Sequence, residues 1–310
     1  MNKSRRLDSF DKVSNQIIEL LDAGVIPWQK PYWQASKEYG QQRSIDGREY
    51  SGLNALMLGL MAGVKGYVDP RWITFNQAKS RGGMVRRGEK GLHVGWWNPQ
   101  KHEREIENPD TGEMEKKQIM IWYFGGHTVF NVEQVDGLEL KPLEKVDGGN
   151  AGTKPENSPD TIAEAEAVAT AYLESDGAPG IEWTSTQTPH YIPSEHRINM
   201  TTRDSFYNAP EMYSTLFHEM SHSTSKPLAR KKGQKGATHF GSDNYGQEEL
   251  VAEFSSAFLC DAVNITSTIQ NSASYIDNWK KAIKADRKLI VYAASQGVKS
   301  ADYILNTQEK

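Results

Sequence analysis

Cysteine is almost absent. Cys260 stands alone among 310 residues, which rules out an intrachain disulfide framework and suits a reducing interior such as a bacterial cytoplasm. Its neighbours Ala257, Phe258, Leu259 and Ala262 mark it as a buried thiol and a poor ligand candidate. Long apolar runs are missing too: no stretch of about 18 apolar residues exists, so no membrane span is expected. The opening MNKSRRLDSFDKV is charged and leads into an amphipathic pattern, unlike the apolar core of a signal peptide. A strong excess of one charge is also lacking. The 36 Lys+Arg face 40 Asp+Glu, a net of −4, too little for a protein that mimics DNA by acidity. What remains, 37% hydrophobic and 25% charged, is a globular composition, and the length allows two cores.

Against that background one motif stands out. His218-Glu219-Met220-Ser221-His222 is an HExxH sequence inside a run with Tyr213, Leu216, Phe217 and Met220 at i, i+3, i+4 and i+7, the apolar face of a half-buried helix. Asn208 is placed to cap this helix, with Glu211 in its first turn. Four residues make slightly more than one turn, so both imidazoles project from one face and can grip one metal ion. Glu219 lies beside them, where it can take a proton from an attacking water. Among eight histidines such a pair also arises on the polar side of an ordinary helix, so a third ligand decides. A second helix is expected after Gly246, with Leu250, Val251, Phe254, Ala257 and Phe258 apolar. Glu249 and Glu253 lie one turn apart on its other side, a costly arrangement unless a cation or solvent faces them. A catalytic zinc takes three protein ligands and keeps one position open, which His218, His222 and Glu249 satisfy. Glu253 is then the carboxylate that orients a histidine. The reverse assignment of the two glutamates stays open, and Glu248 is a weaker ligand candidate.

The small net charge hides an asymmetry. Residues 1–146 hold 21 Lys+Arg against 19 Asp+Glu, and six of the eight tryptophans precede residue 125. The stretch from Glu144 to Asp160 is rich in Gly, Pro and polar residues with almost nothing to bury, and reads as a linker. The division is residues 1–144, a linker 145–160, and residues 161–310.

In the first half, Phe10 to Ala23 and Leu53 to Ala62 have helical patterns. An apolar strand from Leu92 to Trp97 pairs with Gln118 to Phe124, leaving the charged Lys101–Lys117 stretch as an exposed hairpin tip. Between Lys65 and Lys101 eight basic residues are opposed only by Asp69 and Glu89. Cations that track phosphates, interleaved with rings that stack on unpaired bases at about 1–3 kcal/mol each, suit single-stranded nucleic acid. Trp96, Trp97 and Trp122, in strands, are expected to be core on at least one face. Trp28, Trp33 and Trp72, in irregular segments near Lys or Arg, fit core and base-stacking roles equally.

Several stretches resemble those of the ArdC-type antirestriction proteins and the related TraC-type primases of conjugative plasmids, a family also found in phages. They are "GVIPWQKPYW" from Gly24, "GREYSGLN" from Gly47, "YVDPRWITFNQA" from Tyr67, "VRRGEKG" from Val85, "YSTLFHEMSHSTS" from Tyr213 and "FGSDNYGQEELVAEFSSAFL" from Phe240. The resemblance implies an α+β chain of two domains, an N-terminal domain that binds single-stranded DNA and a C-terminal zincin-like metallopeptidase domain. It places Trp28, Lys30, Arg71, Trp72, Arg86, Arg87 and Lys90 inside shared N-terminal motifs and makes them, with Trp33, the expected DNA contacts. Two departures stand out. Ser225 occupies a position where the family usually has Gly, and His196 the aspartate position of a Tyr-x-Pro-x-x-Asp pattern. His196 is expected to be a sheet or surface histidine.

The expected chemistry is peptide hydrolysis assisted by Zn2+, or by another divalent transition metal such as Mn2+, with Glu219 as the base. Tyr245 or His239 would help stabilise the oxyanion, and a strand between Ile181 and Met200 would hold an extended substrate. The expected partners are single-stranded DNA and a host restriction or defence protein. The competing expectation is a protein that coats DNA without proteolysis, its zincin domain a metal-stabilised scaffold.

Overall fold

The computed structural model describes residues 8–28, 39–107, 114–143, 162–185, 188–230, 243–265 and 273–306. Helix α1 (Ser9–Asp22) starts where predicted and is closed by a capping box in which Asp8 and Asp11 each accept from the other's backbone N–H. It is followed by β1 (Arg43–Ser44), α2 (Gly52–Lys65), β2 (Arg71–Thr74), α3 (Phe75–Ser80) and β3 (Met84–Val85). Two long strands come next, β4 (Leu92–Glu107) and β5 (Met114–Asn131), then the short β6 (Val135–Asp136). The main sheet has the order β1-β2-β5-β4, antiparallel except for the parallel β1–β2 pair, and β3 pairs with β6 beside it.

The β4–β5 hairpin is longer than the sequence pattern indicated. Pairing continues past Asn98↔Tyr123 to Glu105↔Lys116 and Glu107↔Met114, so the charged stretch is a ribbon and only its tip lies outside the described residues. A run of charges reads as a loop only if a strand is assumed to need a buried face. Here charged side chains follow one another along a ribbon exposed over most of its length, and opposite charges face each other at Glu105 and Lys116.

From residue 162 onward come α4 (Ala163–Leu173), β7 (Gly180–Trp183), β8 (His190–Ile192), β9 (Arg197–Met200) and four helices, α5 (Ala209–Ser223), α6 (Asp243–Ala262), α7 (Ala273–Ala285) and α8 (Leu289–Leu305). The second sheet has the order β7-β9-β8, with β7 and β8 at its edges. Helix α6 begins at Asp243 and runs through Gly246, a correction to the expected start after that glycine. No helix among the described residues is long and apolar enough to cross a membrane.

The cores follow the two halves only in part. One cluster joins α4, β9 and α5 to Leu259 and Cys260 of α6 and to Val263 just beyond its end. The other joins α1, α2, β4 and β5 to Leu250, Val251 and Phe254 of α6, with Trp279 of α7 and Ile290 of α8. Helices α6 and α8 thus take part in both clusters. They approach closely at Gly297, where a Cβ would lie 2.6 Å from Phe254 Cβ. The division at residues 145–160 falls outside the described residues.

Candidate metal centre

Helix α5 is built as its sequence demands. The Asn208 side chain accepts from Glu211 N at 2.9 Å, Pro210 sits in the first turn, and Met212, Tyr213, Leu216, Phe217 and Met220 are at most 4% exposed. With that face fixed, His218 and His222 lie one turn apart on another, their Nε2 atoms 3.1 Å from each other. Helix α6, packed against α5, brings Glu249 to them. Its Oε2 is 3.4 Å from His218 Nε2, and its Oε1 is 3.5 Å from His222 Nε2. An ion bound at 2.0–2.2 Å in tetrahedral geometry holds its ligand atoms about 3.3–3.6 Å apart, so the imidazoles and the carboxylate stand at close to the required separations. Among the described residues it is the one group of three or more His, Cys, Asp or Glu side chains that could hold a metal.

The electrostatics point the same way. Burial alone would lower the His218 pKa, but the bond to Glu249 and the charges of Glu219, Glu249 and Glu253 outweigh it and lift the value to about 10. His222 is raised against its own burial by Glu249 and Glu248. Imidazoles that hold protons so strongly mark a place where positive charge is wanted, and a divalent cation would meet that need directly. Glu219, 7% exposed, flanks the pair as a buried carboxylate.

Two further carboxylates act on the histidines. Glu253 is 4% exposed and acts on His218 through its charge, while His218 Nδ1 is buried with no hydrogen-bond partner. It is Glu248 that faces a histidine from behind, with Oε1 3.8 Å from His222 Nδ1. Arg230, which the sequence reading missed, holds Glu248 there. Its Nη2 donates to Glu248 Oε1 at 2.6 Å and to the Ser221 carbonyl at 2.8 Å, and its Nη1 donates to Thr224 Oγ1 at 2.6 Å. Burial would raise the Glu248 pKa, but the bonds from His222 and Arg230 bring it below the ordinary carboxylate value. An arginine just beyond a helix end is the usual partner of its last carbonyls, and that was the available signal.

His239 lies outside the described residues, and of Tyr245 only the backbone, in α6, lies within them. His196 sits in the turn between β8 and β9 with φ 47°. It contacts the Tyr191 hydroxyl at 2.8 Å and the Gly177 carbonyl at 3.0 Å, a sheet-corner role remote from metal binding. Cys260 is fully buried, and burial pushes its thiol up to about 12.

The expected DNA contacts divide. Trp28 and Trp72 are 0% and 1% exposed, so neither ring has a face free for a base, which corrects their assignment. Trp28 packs against Phe254 and Trp279, and the Trp72 indole N–H donates to Gln42 Oε1. Arg71 is held by Asp69 at 2.5 Å, and Arg86 by Glu89 and Asp136 at 3.0 and 3.4 Å. Arg87 and Lys90 are exposed, whereas Lys30 and Trp33 lie outside the described residues. The strand tryptophans are more open than the body of the sheet: Trp96, Trp97 and Trp122 are 44%, 43% and 58% exposed, with Trp97 packed on Phe10 and Phe124 and Trp96 on His127.

Residues 8–130 match the family described as the N-terminal domain of anti-restriction factor ArdC, and residues 169–296 match a zincin-like metallopeptidase family. The chain is 32% identical to a protein named DNA primase TraC from Escherichia coli, over 97% of its own length but only 27% of that protein's. A protein named y4eC, from Sinorhizobium fredii, is 28% identical with 96% and 91% of the two chains covered. Among solved structures, the metal-free antirestriction ArdC protein of plasmid R388 superposes with a TM-score of 0.66, at 32% identity and 98% coverage of both chains. Its Mn(II)-bound form gives a TM-score of 0.67, at 30% identity and 97% and 98% coverage.

Proposed function

The chain belongs to the ArdC antirestriction family, and from that premise we propose that it holds single-stranded DNA and cleaves a host restriction or defence protein at its zincin-like site. The observation that carries the peptidase reading is the triangle of His218, His222 and Glu249, beside a buried glutamate with no role in a purely structural metal site.

His218, His222 and Glu249 would hold Zn2+ or, as in the R388 relative, Mn2+. When bound, the ion supplies Lewis-acid polarisation of a scissile carbonyl and of the attacking water. The residues do the rest. Glu219 takes the proton of the water at its carboxylate and delivers it to the leaving amine. Glu248 and Arg230 keep the His222 ring in place from behind. An edge strand of the second sheet, β7 or β8, offers unpaired backbone groups to a peptide in extended form. On the nucleic-acid side, exposed Arg87 and Lys90 and the uncovered tryptophans of the ribbon support the DNA reading.

The test is an antirestriction assay of Glu219→Ala and His218→Ala, paired with metal analysis of the purified proteins and proteolysis of candidate restriction subunits. Glu219→Ala is expected to keep its metal and lose proteolysis by at least 100-fold, at the scale on which general bases contribute. His218→Ala is expected to lose both. If antirestriction survives both changes while DNA binding persists, the chain is a DNA-coating protein with a metal-stabilised scaffold.

A further inference from the structure

A cleft of about 860 Å3 opens between the root of the β4–β5 ribbon, the segment leading into α2, and the outer flank of α8. Its volume lies within the range of about 300–1,000 Å3 of ordinary ligand pockets. Trp96, Trp97, Phe124 and His127 line the ribbon side, while Arg48 and Lys299 stand on the other two walls. Trp96 lies against His127, centroids 4.9 Å apart, yet remains 44% exposed. Opposite it in the ladder is Gly125, where a Cβ would meet no atom within 4 Å, so space is left beside the indole.

Arg48 and Lys299 are both exposed, and neither forms an ion pair among the described residues, unlike Arg71 and Arg86. The one acidic residue on the walls is Glu49. Unpaired cations opposite uncovered aromatic rings are what a polyanion with flat, unstacked groups requires, and such rings become accessible to bases only where the bases are unpaired. We propose that this cleft, framed by Arg48, Lys299, Trp96 and Trp97, is the binding site for single-stranded DNA. The site rests on the DNA reading given above but assigns it to residues from both halves of the chain. Lys299 is contributed by α8, whose next residue, Ser300, contacts Thr224 Oγ1 at the end of the HExxH helix at 2.8 Å.

The experiment is fluorescence anisotropy of a labelled oligothymidylate with the full-length protein, read across a salt series. Arg48→Glu with Lys299→Glu is expected to weaken binding at least tenfold. It should also flatten the slope of log affinity against log salt by about 1.4, two phosphate contacts at roughly 0.7 each. Trp96→Ala is expected to lose about 5- to 150-fold, and Trp96→Phe to recover most of that loss. Lys281→Glu with Lys284→Glu, exposed on α7, makes the same charge change away from the cleft and should bind as the parent does. Failure of the parent protein to bind the oligonucleotide would remove the DNA reading and the site together. If the parent binds and the cleft variants bind equally well, with circular dichroism showing them folded, the DNA reading stands and the cleft assignment is overturned. Displacement of the oligonucleotide by unstructured peptide at equal concentration, but not by unlabelled oligonucleotide, would make the cleft a peptide site and overturn the proposal as well.

Discussion

At the residue scale, the side chains behind the histidines set how well the metal triangle works. Glu248 faces His222 Nδ1, and Arg230, 7% exposed, fixes Glu248 while satisfying a carbonyl at the end of the HExxH helix. Changing partners of this kind typically costs 10- to 100-fold in metal affinity. Glu248→Gln is therefore expected to weaken Mn2+ or Zn2+ binding by about that factor in a competition titration. Glu249→Gln should abolish binding outright, and equal losses for the two would mean that Glu248 is itself a ligand. A second residue prediction concerns His93, on β4, 6% exposed with Nδ1 unpartnered. Burial, with Lys12 and His127 nearby, lowers its pKa to about 4. The unfolded chain, with a value near 6.5, then binds more protons than the folded one between about pH 6.5 and 4, and stability falls as pH drops through that window. Denaturant unfolding should show about 2 kcal/mol less stability from this group at pH 5 than at pH 7, and His93→Phe should remove that part of the pH dependence.

At the element scale, two helices and a ribbon repay comparison. Helix α5 was fully legible, because its cap, first-turn proline and apolar face are local properties of one segment. Helix α6 was legible on one face only. Leu250, Val251 and Phe254 announced an apolar flank, but Leu259 and Cys260 serve a second one, and a helix buried on two sides has little amphipathic contrast to read. Its approach to α8 is set by Gly297 and by a buried hydroxyl contact, Ser255 to Ser300 at 3.0 Å, while Ser221 of α5 donates to the same Ser255 at 2.7 Å. Gly297→Ala would place a methyl 2.6 Å from Phe254 Cβ and 3.0 Å from Ser255 N. Overpacking of about 1–3 kcal/mol exceeds the gain of roughly 1 kcal/mol in helix propensity, so a net loss of stability is expected in thermal unfolding. In the ribbon the sequence pattern points to tryptophans with one core face and to a charged exposed tip, because a pattern does not say how far strand pairing extends or whether another layer covers it.

At the scale of the whole molecule, the two matched regions share a core. Trp28 lies between Phe254 and Trp279, and α1 packs with them, so residues 8–130 leave much of their apolar surface to be covered by α6, α7 and α8. The full chain is expected to unfold in one calorimetric transition. Trp28→Ala should cost about 3–5 kcal/mol and lower the stability of both regions together, read by calorimetry and by loss of metal retention. Two separate transitions, only one of them moved, would contradict the shared core. The sequence by itself determined the chemistry. The HExxH spacing and the apolar face of α5 are set by 3.6-residue periodicity, which acts over a few turns. Only the tertiary structure decided the surroundings. It took Trp28 and Trp72 from the expected DNA surface into the core, uncovered Trp96 and Trp97, and set Arg230 and Glu248 behind His222. Burial and charge pairing depend on which distant segments meet, and no local pattern records that.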